Sequence, residues 1–287
     1  RASANIAGWP AQEELERQIG ELLGQHGWHV SRAHSYDPKR QHGFIDSQRR
    51  GLDVFSTIPP EAPLIVAEAV WQYSHHVLAG LRSHRGPILT IANFAGQRPG
   101  LVGLLGLNAC LTKMSGPYST AWSIDFTDAW VASIVGEWLA TGMIVHDVSH
   151  VHPLPELPDT PEVELGKAIA ADLLTRKAII GIFDEGCMGM YNAIIDDELL
   201  NPIGIYKERL SQSALYAEML KVDSSESEAA LTWLEEQGMR FRWGTDDATE
   251  LTREQVLDQL AMYIAALRIA DDFGVDALGI QYQQGLK

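Results

Sequence analysis

Cysteine is nearly absent from this 287-residue chain: only Cys110 and Cys187 occur, each inside an apolar run and neither in a CxxC or CxxH pattern. That excludes a disulfide framework and a cysteine zinc site, and two free thiols fit a reducing, cytoplasmic compartment. Long apolar runs are missing too. No segment approaches the roughly 18 to 20 continuous apolar residues that cross a bilayer. The chain opens Arg1-Ala2-Ser3-Ala4-Asn5, with neither an initiator methionine nor the apolar stretch of a secretory signal. Together with the ending Gln283-Gln284-Gly285-Leu286-Lys287, this reads as a chain cut at both ends. Basic residues are few: 22 against 38 acidic ones, a formal charge of −16. Such a surface repels phosphate backbones and anionic lipid, which argues against nucleic acid and membrane as partners. There is no GxGxxG or Walker-type loop to hold a nucleotide, and no GxSxG elbow for serine-hydrolase chemistry.

What remains is ordinary globular material, 46% hydrophobic and 21% charged, in a length that suits two domains. Short apolar runs alternate with helical periodicity. Residues 12–25 carry Leu15, Ile19, Leu22 and Leu23 on one face and predict an amphipathic helix. Residues 28–33 predict a strand. The runs 64–67 and 88–91 are uninterruptedly apolar, the signature of parallel strands buried on both faces. Helices follow each of them, at 74–81 and 99–111, then a strand at 118–122 and a helix at 127–139. Four prolines between Val151 and Pro161 mark a linker and set the expected boundary, with one domain over 1–152 and a second over 153–287. The alternation then restarts: helix 163–174, strand 178–183, helix 188–200, strand 203–206, helices at 209–220, 226–237 and 252–271, and a last strand at 276–282. The expected fold class is α/β, with two consecutive doubly wound, Rossmann/flavodoxin-like parallel-sheet domains.

Open parallel sheets place ligands beyond the carboxyl ends of their strands, so chemistry is sought in the turns that follow. After the first strand comes Glu68-Ala69-Val70-Trp71-Gln72-Tyr73-Ser74-His75-His76, which crowds an acid, an indole, an amide, a phenol and two imidazoles. Flat aromatic faces beside amides and hydroxyls suit a sugar; the same residues could equally roof a core and line a solvated helix. After the second strand, Asn93-Phe94-Ala95-Gly96-Gln97-Arg98-Pro99-Gly100 combines a tight turn, a rigid cation and a helix start that favours a polar or negative ligand. The third turn, Asp184-Glu185-Gly186-Cys187-Met188-Gly189-Met190, has two adjacent carboxylates, and Glu208 follows one strand later. Neighbours on an extended chain point to opposite sides, which weakens Glu185 and Glu208 as a metal site. His146, His150 and His152 have ligand-like spacing, and the first two could share a helix face. Histidines at a helix end that favour its dipole are the simpler reading.

These turns resemble the L-fucose isomerases, and more loosely the L-arabinose isomerases, from about Leu64 onward. The resemblance rests on Trp71-Gln72-Tyr73 before a helix, Gly96-Gln97-Arg98-Pro99-Gly100-Leu101-Val102, and Cys187-Met188-Gly189-Met190. It also uses residues 228–233 with Arg240-Phe241-Arg242-Trp243-Gly244, and the closing stretch 277–283. It implies an aldose–ketose isomerase acting through an enediol with Mn2+ or a similar divalent metal. Trp71, Gln72, Arg98, Met188 and Gln283 would serve the sugar pocket. It further implies a homo-oligomer, trimer or hexamer, in which the Trp-bearing turn serves a neighbour's pocket. The metal ligands are expected beyond Lys287, so this chain would supply the two sugar-pocket domains and lack the carboxyl-terminal catalytic one. The alternative is a sugar-binding module without catalysis.

Overall fold

A computed structural model describes residues 2–71, 74–94, 100–186 and 189–280. The chain divides into two units: residues 1–154 with 188–193, and residues 155–187 with 194–287.

In the first unit the apolar runs form a three-stranded parallel sheet in the order β1 (Leu64–Glu68), β2 (Ile88–Asn93), β3 (Ser119–Ser123). The ladders pair Leu64 with Ile88 and Leu89 with Ser119. Alternation along the central strand divides the core. Leu89 and Ile91 meet Leu15, Ile19 and Leu22 of α1 (Ala2–Gln25) and Val131, Val135 and Trp138 of α5 (Ala129–Thr141). Ile88 belongs to the opposite face, with Leu78 and Leu81 of α3 (His75–Ser83) and Leu107, Cys110 and Leu111 of α4 (Gly100–Lys113). A strand covered on both faces has no need of polar alternation, so its sequence is continuously apolar. The one polar residue on the β2 inner run, Thr90, donates to Asn108 Oδ1 (2.7 Å), and Asn108 donates in turn to Thr120 Oγ1 (3.0 Å).

At the amino-terminal end of α4 as described, Gly100 leaves no room for a side chain. A Cβ on Gly100 would fall inside van der Waals contact of the Glu68 carbonyl oxygen and 2.7 Å from its carbonyl carbon. Gly100→Ala is therefore expected to cost about 3 kcal/mol by driving the helix start off the end of β1. The urea midpoint checks this, and an unchanged midpoint would refute the close approach.

The second unit holds a parallel sheet in the order β5 (Ile205–Leu210), β4 (Ala178–Phe183), β6 (Ala277–Ile280). β4 is central, and the chain leaves it first toward one side and later returns on the other. Phe183 and Leu210 pack with Leu215 of α8 (Gln212–Met219) and Ala265 of α10 (Arg253–Phe273). α6 (Pro161–Arg176) opens with proline at its first turn and Thr160 as its cap, accepting from Val163 N–H. α9 (Ser224–Glu236) and α10 begin with reciprocal capping boxes, Asp223 with Glu226 and Thr252 with Gln255.

Three local expectations are corrected. Residues 28–33 form no strand; the segment carries β-favouring side chains, but no strand among the described residues pairs with it. The helix expected over 188–200 is, in its described part, a single 3₁₀ turn (Tyr191–Ala193) and the short α7 (Asp197–Leu200), separated by residues 194–196; Gly189, with a positive φ of 70°, lies ahead of both. The histidines at 146, 150 and 152 share no helix face: α5 ends at Thr141, and His146 reaches back with its ring to the Thr120 carbonyl at 3.0 Å. One helix, α2 (Gln48–Phe55), has no counterpart in the sequence reading; Ser47 caps it by accepting from Arg50 N–H.

Candidate functional site

β1 delivers its last residue, Glu68, to the carboxyl end of the first sheet. The residue is 5% exposed, and its Oε2 has no hydrogen-bond partner. No charged group among the described residues compensates it, and burial raises its pKa from the ordinary carboxylate value to about 8. At neutral pH Glu68 is thus a carboxylic acid, able to donate as well as accept. The end of β2 places Asn93 beside the same helix start, and its buried Oδ1 also lacks a partner. Trp71, three residues beyond Glu68, is 42% exposed.

α3 follows at once. Its first two residues, His75 and His76, hold their rings 4.4 Å apart. His76 Nδ1 lies 3.1 Å from the Ile45 carbonyl, and burial, with His75 next to it, lowers its pKa and keeps it neutral.

A segment distant in sequence completes this edge. Residues 189–193 belong to the first unit: the His75 N–H donates to the Gly189 carbonyl (3.3 Å), and Cys110 Sγ donates to Asn192 Oδ1 (3.3 Å). The Tyr191 ring, 39% exposed, stacks under the Lys113 ammonium at 4.5 Å. The start of α3 and the chain that follows Met188 therefore meet, although His75 and Gly189 are 114 positions apart in the sequence. Burial raises the Cys110 thiol pKa, which keeps it protonated and unreactive. Of the other expected pocket residues, Gln72, Arg98, Met188 and Gln283 lie outside the described residues. The sequence reading placed Asn93 at the head of the second strand-end turn but gave it no role of its own.

In the second unit the strand order switches sides at β4, and the turn after that strand carries Glu185. Its carboxylate is bonded by Lys207 and by Arg209 (2.8 Å), and Asp197 bonds the same two cations (2.8 and 2.9 Å). The hydrogen bond from Lys207 is the main reason that the Glu185 pKa lies below the usual carboxylate range. A cavity of about 350 Å3 opens over this network. Glu185 is thus already neutralised by two cations, one of them only 3% exposed, and a divalent metal does not fit there. Among the described residues no group of three or more histidine, cysteine or carboxylate side chains converges to hold a metal ion. No helix among them is long and apolar enough to cross a membrane.

No known protein-family model matches the chain, and no curated protein matches it.

Proposed function

We propose that the chain binds a monosaccharide at the carboxyl end of its first sheet, as the sugar-pocket part of an aldose–ketose isomerase of the L-fucose and L-arabinose isomerase type. The observation that carries this reading is the meeting of the start of α3, just after Trp71 in the chain, with residues 189–193, next to a neutral Glu68 and the free Oδ1 of Asn93. Hydroxyl-rich ligands are held by aromatic faces against their C–H surfaces and by a few fixed donors and acceptors, and this edge gathers both kinds of group. On this reading each unit is an open doubly wound domain, the assembly is a homo-oligomer, and the ligands for Mn2+ or a similar cation lie outside the described residues. No proton-transfer step is assigned to Glu68.

Calorimetric titration with L-fucose, L-arabinose and their ketoses tests the proposal. Binding in the millimolar range is expected, weakened about tenfold by Trp71→Ala, a loss of about 1.4 kcal/mol. Conversion of aldose to ketose in the presence of Mn2+, followed by NMR, would establish the isomerase. Binding without conversion under those conditions would favour the non-catalytic module. The absence of binding up to tens of millimolar for every sugar would overturn both.

A further inference from the structure

β1 is composed as an interior strand yet stands at an edge. Its sequence, Leu-Ile-Val-Ala-Glu, is as apolar as that of β2, but its first four residues are only half buried whereas the first five of β2 are fully buried. Edge strands ordinarily protect themselves with lysines, prolines or bulges, and β1 has none of these. Beside it runs a groove of about 500 Å3, bounded on the far side by residues 28–34. Ile19 and Leu23 of α1 wall one flank, and Val54, Phe55 and Ile58, in and after α2, contribute a second set of apolar walls.

The hydrogen-bonding groups facing this groove follow a pattern. The side-chain amide of Gln12, itself 5% exposed, donates to the Ala67 carbonyl and accepts from the Ala69 N–H, both at 3.2 Å. In a parallel ladder one residue of the adjacent strand makes this pair of bonds, to the positions before and after its opposite number. Gln12 thus stands in for a strand residue opposite Glu68. Alternate residues of a strand direct both peptide groups to the same edge, so the Ile65 N–H, Ile65 carbonyl and Ala67 N–H face the groove as well. Among the described residues they meet no partner there. The charges in the groove are also closed to outside partners. Glu16 and Arg32 pair with each other at 2.8 Å, and burial, with Arg32 and Arg50 nearby, depresses the His34 pKa to about 4 and leaves that ring neutral. A charged side chain entering the groove would lose its water and compete with the Glu16–Arg32 pair, whereas an uncharged one matches the apolar walls.

We propose that this groove is a β-augmentation site that takes an extended, uncharged, β-branched peptide segment running parallel to β1. Main-chain bonds to Ile65 and Ala67 would supply the affinity, and the walls from α1 and α2 would select apolar side chains. Glu68 and His76 line this groove as well, but the inference rests on the open edge of β1 and the sugar reading on the turns beyond the strand ends.

The probe is a fluorescent peptide of alternating valine and isoleucine, matched to the five residues of β1 and flanked by Gly-Lys pairs for solubility. Saturable binding to the full chain is expected, with slower amide hydrogen exchange at Ile65 and Ala67. N-methylation of alternate peptide amides removes donors and leaves the side chains unchanged. It should weaken binding about tenfold in the register that faces β1 and little in the other, and a central aspartate should weaken it by a similar factor. No binding, equal binding of both N-methylated forms, or binding that leaves exchange in β1 unchanged would each overturn the proposal.

Discussion

At about pH 9, Glu68→Gln is expected to be more stable than the unsubstituted chain by on the order of 4 kcal/mol, while near pH 4 the two should unfold at nearly the same urea concentration. The sign follows from the proton inventory. An unfolded glutamate releases its proton near the ordinary value of 4.5, whereas buried Glu68 keeps it up to about 8. Between those two values the folded state binds more protons than the unfolded one. The favourable contribution is complete below the unfolded pKa, declines by about 1.4 kcal/mol per pH unit, and is gone above the folded pKa. Glutamine has nearly the same shape and cannot ionise, so the variant should be flat across this window. Six of the eight tryptophans lie in the first unit, so indole fluorescence reports the transition of interest. Parallel profiles for the two proteins would mean that Glu68 is ionised in the native state, and the neutral acid at the strand end would then have to be abandoned.

The second large effect belongs to the other unit and runs the opposite way with pH. Lys207 lies between Glu185 and Asp197 at 3% exposure; burial opposes its charge, and the bonds to the two carboxylates more than offset that cost. Lys207→Met keeps the aliphatic stem and removes only the ammonium. It is expected to destabilise the second unit by about 3 kcal/mol, because it strands a half-buried carboxylate pair with one remaining cation. Adding Glu185→Gln to that variant should recover part of the loss, since the charge left behind is then gone. The carboxyl pKa values of Glu185 and Asp197 are depressed, in both cases chiefly through the hydrogen bond from Lys207. Their contribution is therefore complete above the ordinary carboxylate range and lost as pH falls through it and below. Acid unfolding followed by far-UV circular dichroism should show a weaker pH dependence in Lys207→Met. A variant within about 0.5 kcal/mol of the parent would show that the network contributes little beyond solvated ion pairs.

Features carried by neighbours in sequence were legible in advance. The strand Ala178–Phe183 was delimited by its unbroken apolar run, and most of α6 by the helical stretch 163–174, although Pro161, read as the end of the linker, opens the helix. Where the reading failed, a partner remote in sequence decided. The run at 28–33 has the side chains of a strand, but a strand exists only through its neighbour's peptide groups, and here no strand among the described residues pairs with it. α2 contains Gly51 and carries no apolar stripe long enough to announce a helix. It forms against α3, so closely that a Cβ on Gly51 would collide with the His76 carbonyl. The helical periodicity after Met188 gave way to packing of residues 189–193 on the first unit.

The candidate site divides along the same line. Trp71 and Glu68 were conspicuous as polar and aromatic residues directly after an apolar strand. Nothing local reveals that Glu68 is uncharged, because its protonation depends on the helix start packed over it and on the absence of any compensating cation among the described residues. By itself the sequence determined the alternation of strands and helices, the caps that start them and the side chains available at the strand ends. These depend on periodicity and on hydrogen bonds that close within a few residues. Tertiary structure alone decided which turns meet, which carboxylate is neutral and which is clamped by lysine, and which strand edge is left open. Those properties arise from desolvation and from contacts between residues far apart in the chain, and no spacing rule encodes them.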